Sequence, residues 1–143
     1  MRWLLLDEVI GIEKGKAART RSRVPNGVVS PEVLMTEMMA QTGGMLLGAE
    51  TDFQQDLVFV KIEKASFSGD YKADDVLDIE VTSENLHPEG AWLDARIQSR
   101  NRTVAKSRLL LMEVSHLRES SAEPITFHAA FMNHFSVREK VSG

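Results

Sequence analysis

The sequence predicts an α+β domain in which an antiparallel sheet lies on one long helix. Three observations predict it. Residues 30–48, SPEVLMTEMMAQTGGMLLG, form a nearly all-apolar helical stretch with one carboxylate, Glu37, in its middle. Residues 76–82 and 91–98 each alternate apolar and polar side chains, the pattern of a half-buried strand. The order is strand, strand, long helix, then about four strands joined by turns.

Taken in order, residues 3–12 are apolar around the pair Asp7 and Glu8, and read as one strand or as a helical turn leading into one. Lys14-Gly15-Lys16 is a turn signal. Residues 17–24 follow with Arg19, Arg21 and Arg23 at every second position, so in a strand the three guanidinium groups share one face. Pro25-Asn26-Gly27 turns the chain into the helix. Ser30 suits the N-cap, Pro31 the first helical position, and Glu32 complements the helix dipole. A helix apolar on most of its circumference is expected to be buried, and Glu37 with it. Gly43-Gly44 lowers helix propensity, which points to another backbone close by or a ligand passing. Gly48 reads as the C-terminal stop. Residues 57–67 are rich in branched and aromatic side chains and read as a strand. In the next two strands Leu77, Ile79 and Val81, then Ala91, Leu93, Ala95 and Ile97, form the apolar faces. His87-Pro88-Glu89-Gly90 is the hairpin between them, and residues 104–114 are the last long strand. Residues 119–124 read as a linker. Phe127, Phe131 and Phe135 then stand at helical spacing beside Met132, an amphipathic tail expected to be helical and to dock on its own domain or on a partner subunit.

The bulk properties exclude whole classes. With 143 residues, one domain is expected. A net charge of −4 gives no general attraction to nucleic acid or anionic membrane. The chain has no Cys, which removes disulfides, thiolate metal sites and a Cys nucleophile. No run is long enough to span a bilayer, and the apolar run at residues 3–6 is too short for a signal-peptide core. A cytoplasmic location is expected. The His spacings form no metal motif, and no metal or other cofactor is expected.

Several stretches resemble the hotdog-fold 3-hydroxyacyl-ACP dehydratases of bacterial fatty acid synthesis, over about residues 3–114. Trp3-Leu4-Leu5-Leu6-Asp7 is similar to that family's opening apolar run ending in Asp. Glu37-Met38-Met39-Ala40-Gln41, followed by Gly43-Gly44, resembles its central-helix motif. Residues 61–67, KIEKASF, and Asp75-Val76-Leu77 resemble the strand–loop–strand beyond the helix. The resemblance implies a hotdog domain over residues 1–115, with 116–143 as linker and helical tail. One departure stands out. The family carries a His-Phe-Pro-Gly stretch before the helix, its His being half of the catalytic pair. Here Arg23-Val24-Pro25-Asn26 occupies that place, in a shortened segment, and Glu32 replaces the family's helix-start glycine. Arg cannot serve as the base at usable pH.

The resemblance implies a site with one His that removes the α-proton, one helix acid that helps the hydroxyl leave, and helix N-terminal amides that polarise the thioester carbonyl. In this chain Glu37 is the candidate acid and Gln41, one turn on, the residue that orients it. The backbone N–H groups of Glu32 and Val33 are the candidate thioester contacts. The alternative for Glu37 is a structural pair with one of Arg19, Arg21 and Arg23. That row is read as a solvated outer face or edge-strand protection, with contact to an acidic carrier protein as the functional reading. The Met residues 35, 38, 39 and 45 are read as core filling, with an adaptable wall for acyl chains as the alternative. His87, His116, His128 and His134 are weak substitutes for the missing His. The expected ligand is an acyl carrier protein or coenzyme A thioester. The expected assembly is a homodimer or higher homo-oligomer, or a heterodimer with another hotdog subunit, with no nucleic acid or membrane partner. The activities in view are dehydration of 3-hydroxyacyl-ACP, thioester hydrolysis, or a catalytically silent subunit beside an active one.

Overall fold

A computed structural model describes residues 5–27, 30–83, 85–114 and 124–143. Seven strands and one long helix make up the domain: β1 (Glu8–Glu13), β2 (Ala17–Arg23), α1 (Pro31–Gly48), β3 (Leu57–Phe67), β4 (Val76–Thr82), β5 (Gly90–Ser99), β6 (Arg102–Glu113), a short α2 (Ala129–His134) and β7 (Val141–Ser142). The sheet order is β3-β6-β5-β4-β2-β1-β7. Every neighbouring pair is antiparallel except β1 with β7. The sheet wraps α1, the α+β hotdog arrangement expected.

Alternation sets the register. Leu77, Ile79 and Val81 of β4 and Leu93 and Ile97 of β5 are buried against the helix. Met35, Met38, Met39 and Met45 meet them, each at most 1 % exposed. These four are core residues; their flexible thioethers fill the concave sheet. A buried contact between the Thr20 and Thr42 hydroxyls, 2.7 Å, ties β2 to α1. Arg19, Arg21 and Arg23 do share the outer face of β2. That strand lies inside the sheet, between β4 and β1, so the row does not protect an edge.

Three expectations need correction. Gly48 ends α1 but stays right-handed, with φ −60°. The left-handed residues follow at Asp52 (φ 51°) and Phe53 (φ 61°). Gly48 is required by packing instead: a Cβ there would lie 2.6 Å from Phe127 Cζ. The tail is also more than one helix. It holds the six-residue α2, a 3-10 turn (Val137–Lys140) and β7, which pairs with β1. Phe127, Met132 and Phe135 are buried on the chain's own core. The proposed linker falls almost wholly outside the described residues, as do Trp3, Leu4 and His116. The third correction concerns Glu37.

Candidate functional site at Glu37

Helical spacing puts Glu37, Gln41, Gly44 and Gly48 on one face of α1. The sheet covers the methionine face. The opposite face, where the few polar residues of the helix gather, looks out past the edge strand β3. Glu37 is therefore exposed in the single chain, not buried as expected. The average hydrophobicity of the helix hid this narrow polar stripe. Gln41 Nε2 donates to Glu37 Oε1 across one turn, at 3.4 Å. The expected alternative, a structural pair between Glu37 and one of the β2 arginines, is not what they form: Arg19 and Arg21 pair across the sheet with Glu80 (2.7 Å) and Asp78 (2.9 Å), and Arg23 donates to the Asp74 carbonyl.

Two cavities adjoin at Glu37. The outer one is an open cleft of about 760 Å³ toward the helix N-terminus, bounded by Val33, Thr36 and Ile62. The inner one, about 230 Å³, lies between α1, the start of β3 and the C-terminal segment. Glu37, Gln41 and Phe59 line both. Gly44 faces the inner cavity, and a Cβ there would meet no atom within 4 Å. Gly43, its neighbour, faces the sheet, where a Cβ would come 2.7 Å from Leu93 Cδ1. The close backbone expected at this pair is not what either glycine meets: Gly43 makes room for the side chains of Leu93, Leu111 and Val81, and Gly44 leaves open space.

The C-terminal segment roofs the inner cavity. Buried Asp56 holds it there: Oδ1 accepts from the backbone N–H groups of Ile125 (2.6 Å) and Thr126 (2.8 Å). Leu57 N–H donates to Thr126 Oγ1 at 3.0 Å. Phe127 then packs edge-on to Phe53, centroids 5.3 Å apart, and closes the cavity at Gly48. His128 comes next and also lines the cavity. Sequence reasoning gave His128 little weight, because its approach to α1 depends on Asp56, seventy-two residues away in sequence. The one local signal was its position directly after a Phe that had to dock. His87 lies exposed in its turn, and the His134 ring stacks edge-on to Phe135.

At the helix N-terminus Ser30 makes no side-chain cap. Its hydroxyl donates to the Glu32 carboxylate at 2.6 Å, and so does the Tyr71 hydroxyl. These donors, Ser30 first, hold the Glu32 carboxyl below its usual range. Burial and then the facing carboxylate push the Tyr71 hydroxyl up to about 12. Of the two residues whose amides were expected to meet a thioester, Glu32 has its carboxylate engaged by Ser30 and Tyr71. Val33 is exposed and borders the outer cleft.

The arrangement is a carboxylate where an open cleft meets an apolar cavity, steadied by an amide. It suits acid–base chemistry on a long, mostly apolar ligand whose polar end stays outside. Comparison with known proteins agrees. The chain is 36% identical over 97 residues to the 3-hydroxyacyl-[acyl-carrier-protein] dehydratase FabZ of Petrotoga mobilis, covering 59% of this chain and 70% of that protein. The chain belongs to the FabZ family. To the FabZ of Chlamydia pneumoniae it is 32% identical over 94 residues, and there it spans 61% of the relative's length. No family model matches the chain. Among solved structures, the dehydratase heterocomplex ApeI:P from Xenorhabdus doucetiae superposes with a TM-score of 0.65 at 18% identity, covering 78% of this chain and 83% of that one. A hypothetical thioesterase with coenzyme A from Streptococcus pneumoniae gives 0.61 at 16% identity, covering 76% and 85%. These likenesses show the hotdog fold. Against its FabZ relatives' chemistry, the present chain has no His before His87.

Proposed function

We propose that this FabZ-family chain binds a 3-hydroxyacyl thioester, carried on acyl carrier protein or coenzyme A, and removes water from it to give the trans-2-enoyl thioester. The observation that carries this reading is the placement of Glu37 where an open cleft meets a smaller, mainly apolar cavity. The carrier arm lies in the cleft, the acyl chain in the cavity, and the reacting carbons C2 and C3 beside the carboxylate. With no histidine in the family's position, Glu37 works in both directions. It takes the C2 proton, the electron pair passes to the thioester oxygen, and the enolate then expels the 3-hydroxyl, which leaves as water with the proton from Glu37. Gln41 orients the carboxylate, and the Val33 amide lies nearer the carrier arm. Arg19, Arg21 and Arg23 contact an acidic carrier only by leaving their present partners.

A homodimer completes the site. β3 is an open edge strand, and Val58, Val60 and Ile62 on it are exposed. Pairing of two such edges satisfies their backbone groups and shields the Glu37 cleft from water. The missing histidine supports a second reading, a silent subunit that pairs through β3 with an active hotdog partner; ApeI:P, one of the structural neighbours, is a dehydratase heterocomplex. Mass spectrometry of purified protein with 3-hydroxyacyl-ACP, scoring dehydration and hydrolysis together, separates them. Water loss abolished by Glu37→Gln supports dehydration. Free acid in its place means a thioesterase, and no product means the silent subunit.

A further inference from the structure

We infer that His128 is a catalytic residue of this site, donating a hydrogen bond from Nε2–H to the thioester carbonyl oxygen of the acyl group held beside Glu37. The inference rests on the proposed function and adds to it a group that no sequence motif marks.

His128 lines the same inner cavity as Glu37, Gln41 and Gly44. Its ring is held in one orientation. As the N-cap of α2, His128 accepts the Phe131 backbone N–H at Nδ1, at 3.1 Å. An acceptor nitrogen keeps its lone pair, so the neutral ring carries its proton on Nε2. That tautomer donates from Nε2 and cannot accept there, so His128 does not take over the proton-abstracting role of the family's absent histidine. The role left open is donation to the oxygen on which charge develops. A fixed donor aimed at a developing enolate oxygen stabilises it without reorganising during the step. The mount is rigid for the same purpose. Asp56 pins residues 125 and 126 through two backbone hydrogen bonds, and Phe127 is 5 % exposed, packed between Phe53 and Gly48. His128 thus sits between two anchored points, the Asp56 clasp and the first turn of α2. The step balances on the chain's own groups. Glu37 takes the C2 proton and returns it to the departing hydroxyl, while His128 keeps its proton throughout.

The test uses the full chain with His128→Ser and His128→Asp. Both residues are good N-caps, so α2 is retained while the Nε2–H donor is lost. Loss of one such donor lowers kcat on the order of 10²–10³-fold, with KM and melting temperature little changed. Wild-type kcat in both variants would overturn the inference and leave the proposed function standing. A binding arm covers the case in which the wild type shows no turnover and the proposed function fails. The uncleavable amide analogue of 3-hydroxybutyryl-pantetheine is added to ¹⁵N-histidine-labelled protein. A shift of the His128 Nε2–H resonance, with His87 and His134 unmoved, supports donation. An analogue that binds and leaves that resonance in place refutes it.

Discussion

Glu37 is exposed and accepts a hydrogen bond from the Gln41 amide at 3.4 Å. Exposed substitutions of this kind usually change stability by less than about 0.5 kcal/mol. Glu37→Gln is therefore expected to unfold at the wild-type urea midpoint while losing about 10²–10⁴-fold in turnover. A large fall in the midpoint would mean the carboxylate is structural. Tyr71 offers a second check at this scale, being the chain's one tyrosine. Its hydroxyl is raised to about 12, by burial first and by the Glu32 carboxylate second. A raised value means that the folded state favours the protonated hydroxyl. That contribution is complete below pH about 10, the unfolded value, and disappears as pH rises through about 12. Glu32 works in the opposite sense: its lowered carboxyl favours the folded state above the ordinary carboxylate range, and the benefit fades as pH falls through the folded value. An absorbance titration of tyrosinate should centre near 12. Glu32→Gln should bring it down part of the way, because burial remains. A wild-type midpoint near the ordinary 10 would show that the pair does not form.

At the scale of the element, α1 is where the sequence was both most and least legible. Its bounds, length and methionine face were plain from the residues. The alternation of β4 and β5 likewise fixed which side chains would meet it. The orientation of Glu37 was not legible, because a helix this apolar hides a narrow polar stripe, and only the curvature of the sheet decides which stripe stays open. Gly48 was misread for a related reason: a glycine at a helix end signals a turn when read locally, and only the tertiary fold brings Phe127 against it. The glycine pair gives a prediction that the composition alone cannot. Gly43→Ala drives a Cβ to 2.7 Å from Leu93 Cδ1 and should destabilise by about 1–3 kcal/mol. Gly44→Ala meets nothing within 4 Å and should stabilise by up to about 1 kcal/mol through helix propensity. It should also narrow the acyl cavity and raise KM for longer chains. Urea melts of the two variants read the difference, and equal destabilisation would contradict the opposite facings.

For the whole molecule, the open β3 edge and the roofed cavity belong to one design. The C-terminal segment lines the cavity from within the chain, and in the proposed dimer a second β3 covers the cleft from outside. Val60, 49% exposed on that edge, becomes a poor residue to pair when charged. Val60→Lys is expected to convert a dimer to monomer by light scattering and to lower turnover with it. A wild-type monomer would remove the edge-pairing argument. The tail was only partly legible, since its three Phe residues announced docking but not the 3-10 turn or the strand that follows. The family was legible from the helix motif. The reaction was not, because no His stands before the helix and the approach of His128 to the cavity beside Glu37 depends on the tertiary fold. The most direct measurement is therefore the mass-spectrometric assay with 3-hydroxyacyl-ACP on wild type and Glu37→Gln. The account predicts an enoyl product, 18 Da lighter, from wild type and none from the variant; an unchanged substrate with both, or equal conversion by both, would contradict it.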